Sequence, residues 1–409
     1  MVSEMLLSQQ TSCGRHPRFA RTTWADDVML FVTSFLECEF LAPAFDEAGE
    51  PRGPRLQPTV KKLPTGPIEE PTSPDWTRRS NATEGMPRWL SFTVFRDRCH
   101  RRAFLAAGLR PSATALADGA TVHCWVPARP DPSRSPLLLL HGFGATAIWQ
   151  WSAHLRPLLG AGFDLYVPDL LFFGVSAAPG PDRSESYQAQ CIMAAMEAAG
   201  VRRFGLVGVS YGGFVAYRMA AMYPTAVERV VLCCAGVCLE ERDLAAGLFV
   251  VSDLREAIEI LLPQRPEKLR QLVRLSFVRP QLVMPSVFLR DYIQVMCKDY
   301  VKEKTELIQA VFNERKHSDL PKINQPTLIF WGEQDQIFPL ELGHRLQRHL
   351  GDNSQLAVIS NAGHAVNLEK PKELCEHIIA FFLDSPQGSH NGQDVPSPNS
   401  QKNINFNQD

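Results

Sequence analysis

The chain has 409 residues, 45% of them hydrophobic, and a formal net charge of −2. That length allows one large domain with an added subdomain and tails, and the hydrophobic share supports a sizeable buried core. The near-neutral charge gives no basis for binding nucleic acid or another polyanion, and no apolar run approaches the ~20 residues of a bilayer span. Its ten cysteines include no C-x-x-C pair and no metal-ligand spacing with histidine. Most sit in apolar runs such as Cys233-Cys234, which favours a reducing compartment and a cytoplasmic location.

In chain order, residues 1–85 lack sustained periodicity and are crowded with Pro and Gly from about 42 to 87, so a largely disordered extension is expected. Arg15, Arg18 and Arg21 stand among few acids, as in a plastid transit peptide, but Asp26, Asp27, Glu37 and Glu39 follow soon after. An extended gene model ahead of Met86 accounts for the segment equally well. The sequon at Asn81 matters only in a secreted chain. From Pro87 to Leu109, Trp89, Leu90, Phe92, Phe95, Phe104 and Leu105 are interleaved with Arg88, Arg96, Arg98, Arg101 and Arg102. Such a helix either docks on a core with its arginines in water or lies on an anionic membrane surface through 86–110.

Strands are expected near 113–117, 121–126, 136–140, 163–168, 203–208, 229–235, 326–331 and 355–360. Helices are expected near 146–160, 184–200, 211–223, 340–350 and 370–384. This alternation predicts an α/β domain: a mostly parallel sheet of eight strands with helices on both faces. Its core is split into 86–237 and 321–385. Residues 238–320 interrupt it after the sixth strand with helical patterns such as Asp253–Leu262 and Val287–Met296, and form a helical cap over the sheet end. Residues 386–409, rich in Asn, Gln, Ser, Gly and Pro, read as a disordered tail.

The most informative segment is Gly208-Val209-Ser210-Tyr211-Gly212. It follows a short apolar strand and opens a helix closed by Pro224. A serine on a sharp strand-to-helix turn has its hydroxyl pushed clear of the backbone, and small neighbours let the chain turn. The helix start adds free N–H groups and partial positive charge. Downstream, the strand Pro326–Trp331 ends in a loop carrying Glu333 and Asp335, and the strand Leu356–Ser360 is followed by His364. A serine hydroxyl needs a base to remove its proton; imidazole can take it and return it to a leaving group, and a carboxylate on the other ring nitrogen fixes the tautomer. Ser210 is therefore assigned as nucleophile, His364 as base and Asp335 as orienting acid, with Glu333 as substitute. After the strand Pro136–Leu140 comes His141-Gly-Phe-Gly144, whose Phe143 N–H could converge with that of Tyr211 on one oxyanion. One such donor contributes roughly 3–4 kcal/mol in the transition state. His141 and Asp169 are read as structural, and Trp149, Trp151, Phe172 and Phe173 as core residues or pocket walls.

With "HGFG" at 141, "PDLLFFGVS" at 168, "GVSYGG" at 208, "WGEQD" at 331 and "NAGHAVNLEKP" at 361, the chain resembles the α/β-hydrolases over about residues 86–385. More narrowly it is similar to plant members that resemble monoacylglycerol lipases. One departure is expected in the D-x-x-G-x-G-x-S pattern after the fourth strand, where Phe173 is read as replacing the first glycine. The resemblance implies a serine hydrolase acting on a carboxylic ester, a medium or long acyl ester or a monoacylglycerol, with no cofactor and no metal. Two alternatives stand beside it. Some plant hormone and smoke-compound receptors resemble this fold and also carry "HGFG", and lyases or C–C hydrolases use the same triad.

Overall fold

The structure, a computed structural model, describes residues 91–383 apart from 252, 281–283 and 313–314. The extension expected over 1–85 and the tail expected over 386–409 lie outside the described residues. The sheet comprises β1 (Leu109–Ala115), β2 (Thr121–Pro127), β3 (Ser135–Leu140), β4 (Phe163–Pro168), β5 (Phe204–Val209), β6 (Val227–Cys233), β7 (Thr327–Gly332) and β8 (Ser354–Ile359). Their order is β1-β2-β4-β3-β5-β6-β7-β8. β1 pairs antiparallel with β2 and β2 with β4, while every pairing from β4 to β8 is parallel. β4, β5 and β7 are buried along their whole length, as parallel strands covered on both faces must be, which explains their largely apolar sequences, interrupted by Asp164 in β4 and opened by Thr327 in β7. The edge strand β1 instead alternates exposed and half-buried positions and starts two residues before Pro111, which an edge tolerates.

The helices around the sheet are α1 (Phe92–Ala106), α2 (Ala147–Trp151), α3 (Leu155–Gly160), α4 (Glu185–Ala198) and α5 (Tyr211–Met222). Between β6 and β7 come α6 (Glu241–Ala245), α7 (Leu254–Leu261), α8 (Pro266–Ser276), α9 (Ser286–Tyr292) and α10 (Val301–Phe312). α11 (Leu340–Leu350), α12 (Val366–Glu369) and α13 (Pro371–Leu383) complete the chain. α4 packs on α5, and α3 on α13. They lie on opposite faces: in β5, Gly208 faces the start of α5 and Gly205, three residues away, faces Phe382 of α13.

Two helices differ from the expectation. The one expected over 146–160 is broken into α2, a 3-10 turn at Ser152–His154 and α3. Pro157 has no N–H for a continuing ladder, so the helix restarts at Leu155 with the proline in its first turn. The pattern Val287–Met296 is α-helical only to Tyr292 and then widens into a π-helical turn, Ile293–Cys297.

The basic segment before β1 docks on the core as α1. Ser91 caps it, accepting from the Val94 N–H at 3.1 Å. Phe104, fully buried, packs its ring 5.2 Å from Trp125 of β2. No helix among the described residues is long and apolar enough to cross a membrane.

Candidate active site

Ser210 stands between β5 and α5 with φ 52° and ψ −121°, outside the regions open to an L residue at low cost. The turn is held from both sides: the Ser210 N–H donates to Cys233 O on β6, and the Gly213 N–H donates back to Ser210 O, both at 2.8 Å. Two positions admit only glycine. A Cβ on Gly208 would overlap the Gly212 carbonyl, and one on Gly212 would stand 2.5 Å from His141 O and 2.6 Å from Leu140 O. The G-x-S-x-G spacing is thus a packing requirement of helix against strand as well as of the turn itself.

Three loops at the C-terminal ends of β5, β7 and β8 bring Ser210, Asp335 and His364 together. His364 Nε2 lies 2.9 Å from Ser210 Oγ, and His364 Nδ1 lies 2.8 Å from Asp335 Oδ2. Asp335 is buried, and its other oxygen accepts from the N–H groups of Ile337 (2.8 Å) and Phe338 (2.9 Å), so the carboxylate cannot turn away. With Nδ1–H donating to Asp335, Nε2 is left to accept the serine hydroxyl proton. Glu333, the substitute acid, is exposed and does not reach the histidine. The loop carrying His364 is anchored to the insertion. Glu369 accepts from Gly363 N–H (2.7 Å) and Val278 N–H (2.9 Å), and Ala365 N–H donates to Ser276 O (2.9 Å).

The segment 141–144 leaves β3 beside this group. The Phe143 ring packs 5.0 Å from that of Tyr211. Tyr211 is the first residue of α5, where N–H groups have no intrahelical acceptor. Gln150, from α2, clamps the segment: its Oε1 accepts from Gly142 N–H at 2.9 Å, and its Nε2 donates to the carbonyls of Gly142 (3.0 Å) and Phe143 (3.2 Å). His141 is fully buried and structural. Its Nδ1–H donates to Gly142 O at 2.8 Å, its Nε2 accepts from Leu170 N–H at 3.0 Å, and burial pulls its pKa below the ordinary value. Asp169 shapes the loop after β4, accepting from Ala147 N–H at 2.9 Å and pairing with His123 at 3.0 Å. Burial alone would raise its pKa, but the hydrogen bond and charge of His123 hold it below the usual carboxylate value.

Trp151, Phe172 and Phe173 are buried, and Trp149 is half-buried. The Phe173 side chain is edge-on to both His141 (5.0 Å) and Phe143 (5.1 Å). Phe173 is not the residue at the first glycine of the D-x-x-G-x-G-x-S pattern: counted from Asp169 that place falls to Phe172, which takes the left-handed φ of 72° that a glycine would adopt freely, and the second glycine, Gly174, has φ 55°. Phe172 is kept in that conformation between the Arg183 guanidinium, 4.5 Å from its ring, and Tyr300, 5.8 Å away.

Cys234, Asp335 and His364 place potential metal-ligand atoms within 4.8 Å of one another. The donor set suits a metal poorly. Burial raises the Cys234 thiol well above its usual pKa, so a thiolate ligand is disfavoured, and the imidazole is already bound at both nitrogens.

Residues 135–371 match the family described as alpha/beta hydrolase fold. The chain belongs to the α/β-hydrolase family. Within that family it is 31% identical to the mouse monoacylglycerol lipase ABHD6 over 44% of this chain and 54% of the mouse protein. The chain thus spans about half the length of that relative. The human ABHD6 lipase is 29% identical over 62% of this chain and 77% of its own length. A 2-hydroxy-6-oxo-6-phenylhexa-2,4-dienoate hydrolase of Comamonas testosteroni is 29% identical over 60% of this chain and 87% of that one. Among solved α/β-hydrolase structures, a putative lipase from Acinetobacter baumannii superposes with a TM-score of 0.61 at 22% identity, covering 70% of this chain and 95% of the lipase, a likeness of fold.

Proposed function

We propose that this α/β-hydrolase cleaves a carboxylic ester of an acyl chain, with monoacylglycerol as the leading substrate class. The observation that carries the reading is the unbroken line Ser210 Oγ, His364 Nε2, His364 Nδ1, Asp335 Oδ2, with links of 2.9 Å and 2.8 Å. In this mechanism Ser210 attacks the carbonyl carbon as His364 takes its proton. The N–H groups of Phe143 and Tyr211 hold the resulting oxyanion. His364 then protonates the leaving alcohol, and an acyl-enzyme remains. Water, deprotonated by the same imidazole, releases the acid and restores Ser210. The steps use no metal and no organic cofactor. The monoacylglycerol assignment draws on the names of the ABHD6 relatives.

The helices α6–α10 are read as a cap that excludes water from the acyl-enzyme, supported by the ties of Ser276 and Glu369 between insertion and histidine loop. A reducing, cytoplasmic setting fits the free cysteines among the described residues. Peripheral membrane contact through α1 would use Phe95 and Leu105, 41% and 55% exposed, beside the exposed Arg98 and Arg102.

Labelling of the full chain with a fluorophosphonate probe tests the assignment. Labelling of wild type that is lost in Ser210→Ala, with parallel loss of p-nitrophenyl ester and monoacylglycerol turnover, is the expected result. A folded wild type that takes no label would sink the ester-hydrolase reading. The dienoate hydrolase relative motivates a second reading, C–C bond hydrolysis by the same three residues. Turnover of a vinylogous 1,5-diketone acid with little activity on simple esters would favour it.

A further inference from the structure

The stretch that matches the family starts at residue 135, so α1 lies wholly ahead of it. Yet α1 is joined to the segment expected to hold the oxyanion. Asp97 Oδ1 accepts from Trp149 Nε1–H at 3.1 Å, while its Oδ2 accepts from Arg101 at 2.7 Å. The His100 ring lies 5.0 Å from Trp149, and its Nδ1 lies 2.9 Å from Ser152 Oγ. Trp149 also meets the Arg96 guanidinium of α1, 5.8 Å from its ring, and Tyr292, edge-on at 5.8 Å, whose hydroxyl donates to Gly144 O. Tyr292 is itself tied to α1 through its neighbour: Asp291 accepts from Thr93 N–H at 2.8 Å, a carboxylate meeting one of the free donors in the first turn of α1.

We infer that α1 positions the oxyanion segment, acting through Asp97, Trp149 and Tyr292. The Phe143 N–H lies between two clamps, Gln150 on Gly142 and Phe143 O, and Tyr292 on Gly144 O. Gly144 has φ 97°, so its backbone offers little steric resistance to rotation and an outside hydrogen bond must fix it. Asp97 and His100 fix Trp149, and Trp149 fixes the ring that makes that bond. None of these residues is among those assigned to the reacting atoms, so each is given a positioning role. The inference rests on the ester-hydrolase reading for its catalytic meaning.

The test uses full-length Asp97→Ala, Trp149→Phe, Tyr292→Phe and the Asp97→Ala/Trp149→Phe double variant, with Ser210→Ala as the inactive reference. Amide hydrogen exchange over 141–146 should quicken in each single variant. Turnover of a short p-nitrophenyl ester should fall about 10-fold in kcat with KM little changed, less than the roughly 100-fold or more of losing an oxyanion donor outright. The rate ratio between an oxo-ester and its thionoester should fall toward one, because a misplaced donor no longer favours oxygen over sulfur. The double variant should be no slower than Trp149→Phe alone, since both changes break one bond. Unchanged exchange over 141–146, an unchanged oxo/thiono ratio, or additive losses in the double variant would each overturn the inference. Should Ser210→Ala keep full turnover, the ester-hydrolase reading fails, and the exchange measurement still decides whether α1 holds this segment.

Discussion

Replacing Asp335 by Asn tests the site through a single proton. In the wild type, Asp335 Oδ1 accepts from two backbone N–H groups and Oδ2 faces His364 Nδ1. An asparagine amide must choose. With its oxygen toward Ile337 and Phe338, its NH2 group faces His364 and forces Nδ1 to become an acceptor. The proton then moves to Nε2, which can no longer take one from Ser210. The flipped amide restores the productive tautomer but sets NH2 against two buried N–H donors. Leaving those two donors unpaired costs about 1–3 kcal/mol each, or about 2–6 kcal/mol together. The productive tautomer is thereby reduced roughly 30-fold to 10⁴-fold at about 1.4 kcal/mol per decade. The assay is kcat on a p-nitrophenyl ester, with urea unfolding run alongside to show that the fold persists. A fall of about 30- to 10⁴-fold at little change in KM is expected. Turnover by Asp335→Asn within a few-fold of wild type would refute the assignment of Asp335 as orienting acid.

Gln150→Glu removes both amide donors to Gly142 O and Phe143 O; kcat should drop about 10- to 100-fold, and a kcat equal to wild type would show that the clamp is idle. Gly212→Ala drives a methyl into the carbonyls of Leu140 and His141, so soluble yield or urea midpoint should collapse, by about 3 kcal/mol or more. His154 is fully buried and burial lowers its pKa from 6.5 to about 4. The unfolded chain therefore takes up the proton first as pH falls below 6.5, and stability is lost progressively down to about pH 4. Between about pH 7 and about pH 5 this site should contribute about 2 kcal/mol of that loss. Urea midpoints of His154→Gln should fall less steeply than wild type over that interval, and an equal slope would contradict the burial argument.

The parts of the site legible in the sequence were those written locally. Ser210 needs small residues at 208 and 212 because the helix closes onto the strand there, so five contiguous letters carry the geometry. Asp335 and His364 follow strands in a fixed order, which locates them within a loop. Nothing in the spacing separates Asp335 from Glu333; the turn that gives Ile337 and Phe338 N–H to Asp335 makes that distinction. Gln150 and Tyr292 left no trace, since their partners are backbone atoms and, for Tyr292, lie 148 residues away. The same holds for the docking of α1. Its arginines and aromatics suit water, membrane or core equally until Asp97 and His100 meet Trp149 and Ser152. The break at Pro157 was present in the sequence, but the apolar spacing on both sides of it simulates one longer helix.

The backbone of Ser210 has a bearing on how activity reports on folding. A φ, ψ pair in a poorly populated region costs about 1–3 kcal/mol and persists only where the surroundings over-determine it. Here the surroundings are β6, through Cys233 O, and the first turn of α5. A partly assembled sheet, or a fragment containing the pentapeptide, relaxes that residue and swings the hydroxyl away from the imidazole. Under the proposed hydrolase reading, turnover during refolding is therefore expected to return only after β5 has paired with β6 and α5 has closed onto it. Such turnover would then gauge the finished fold and is expected to trail any spectroscopic signal of collapse.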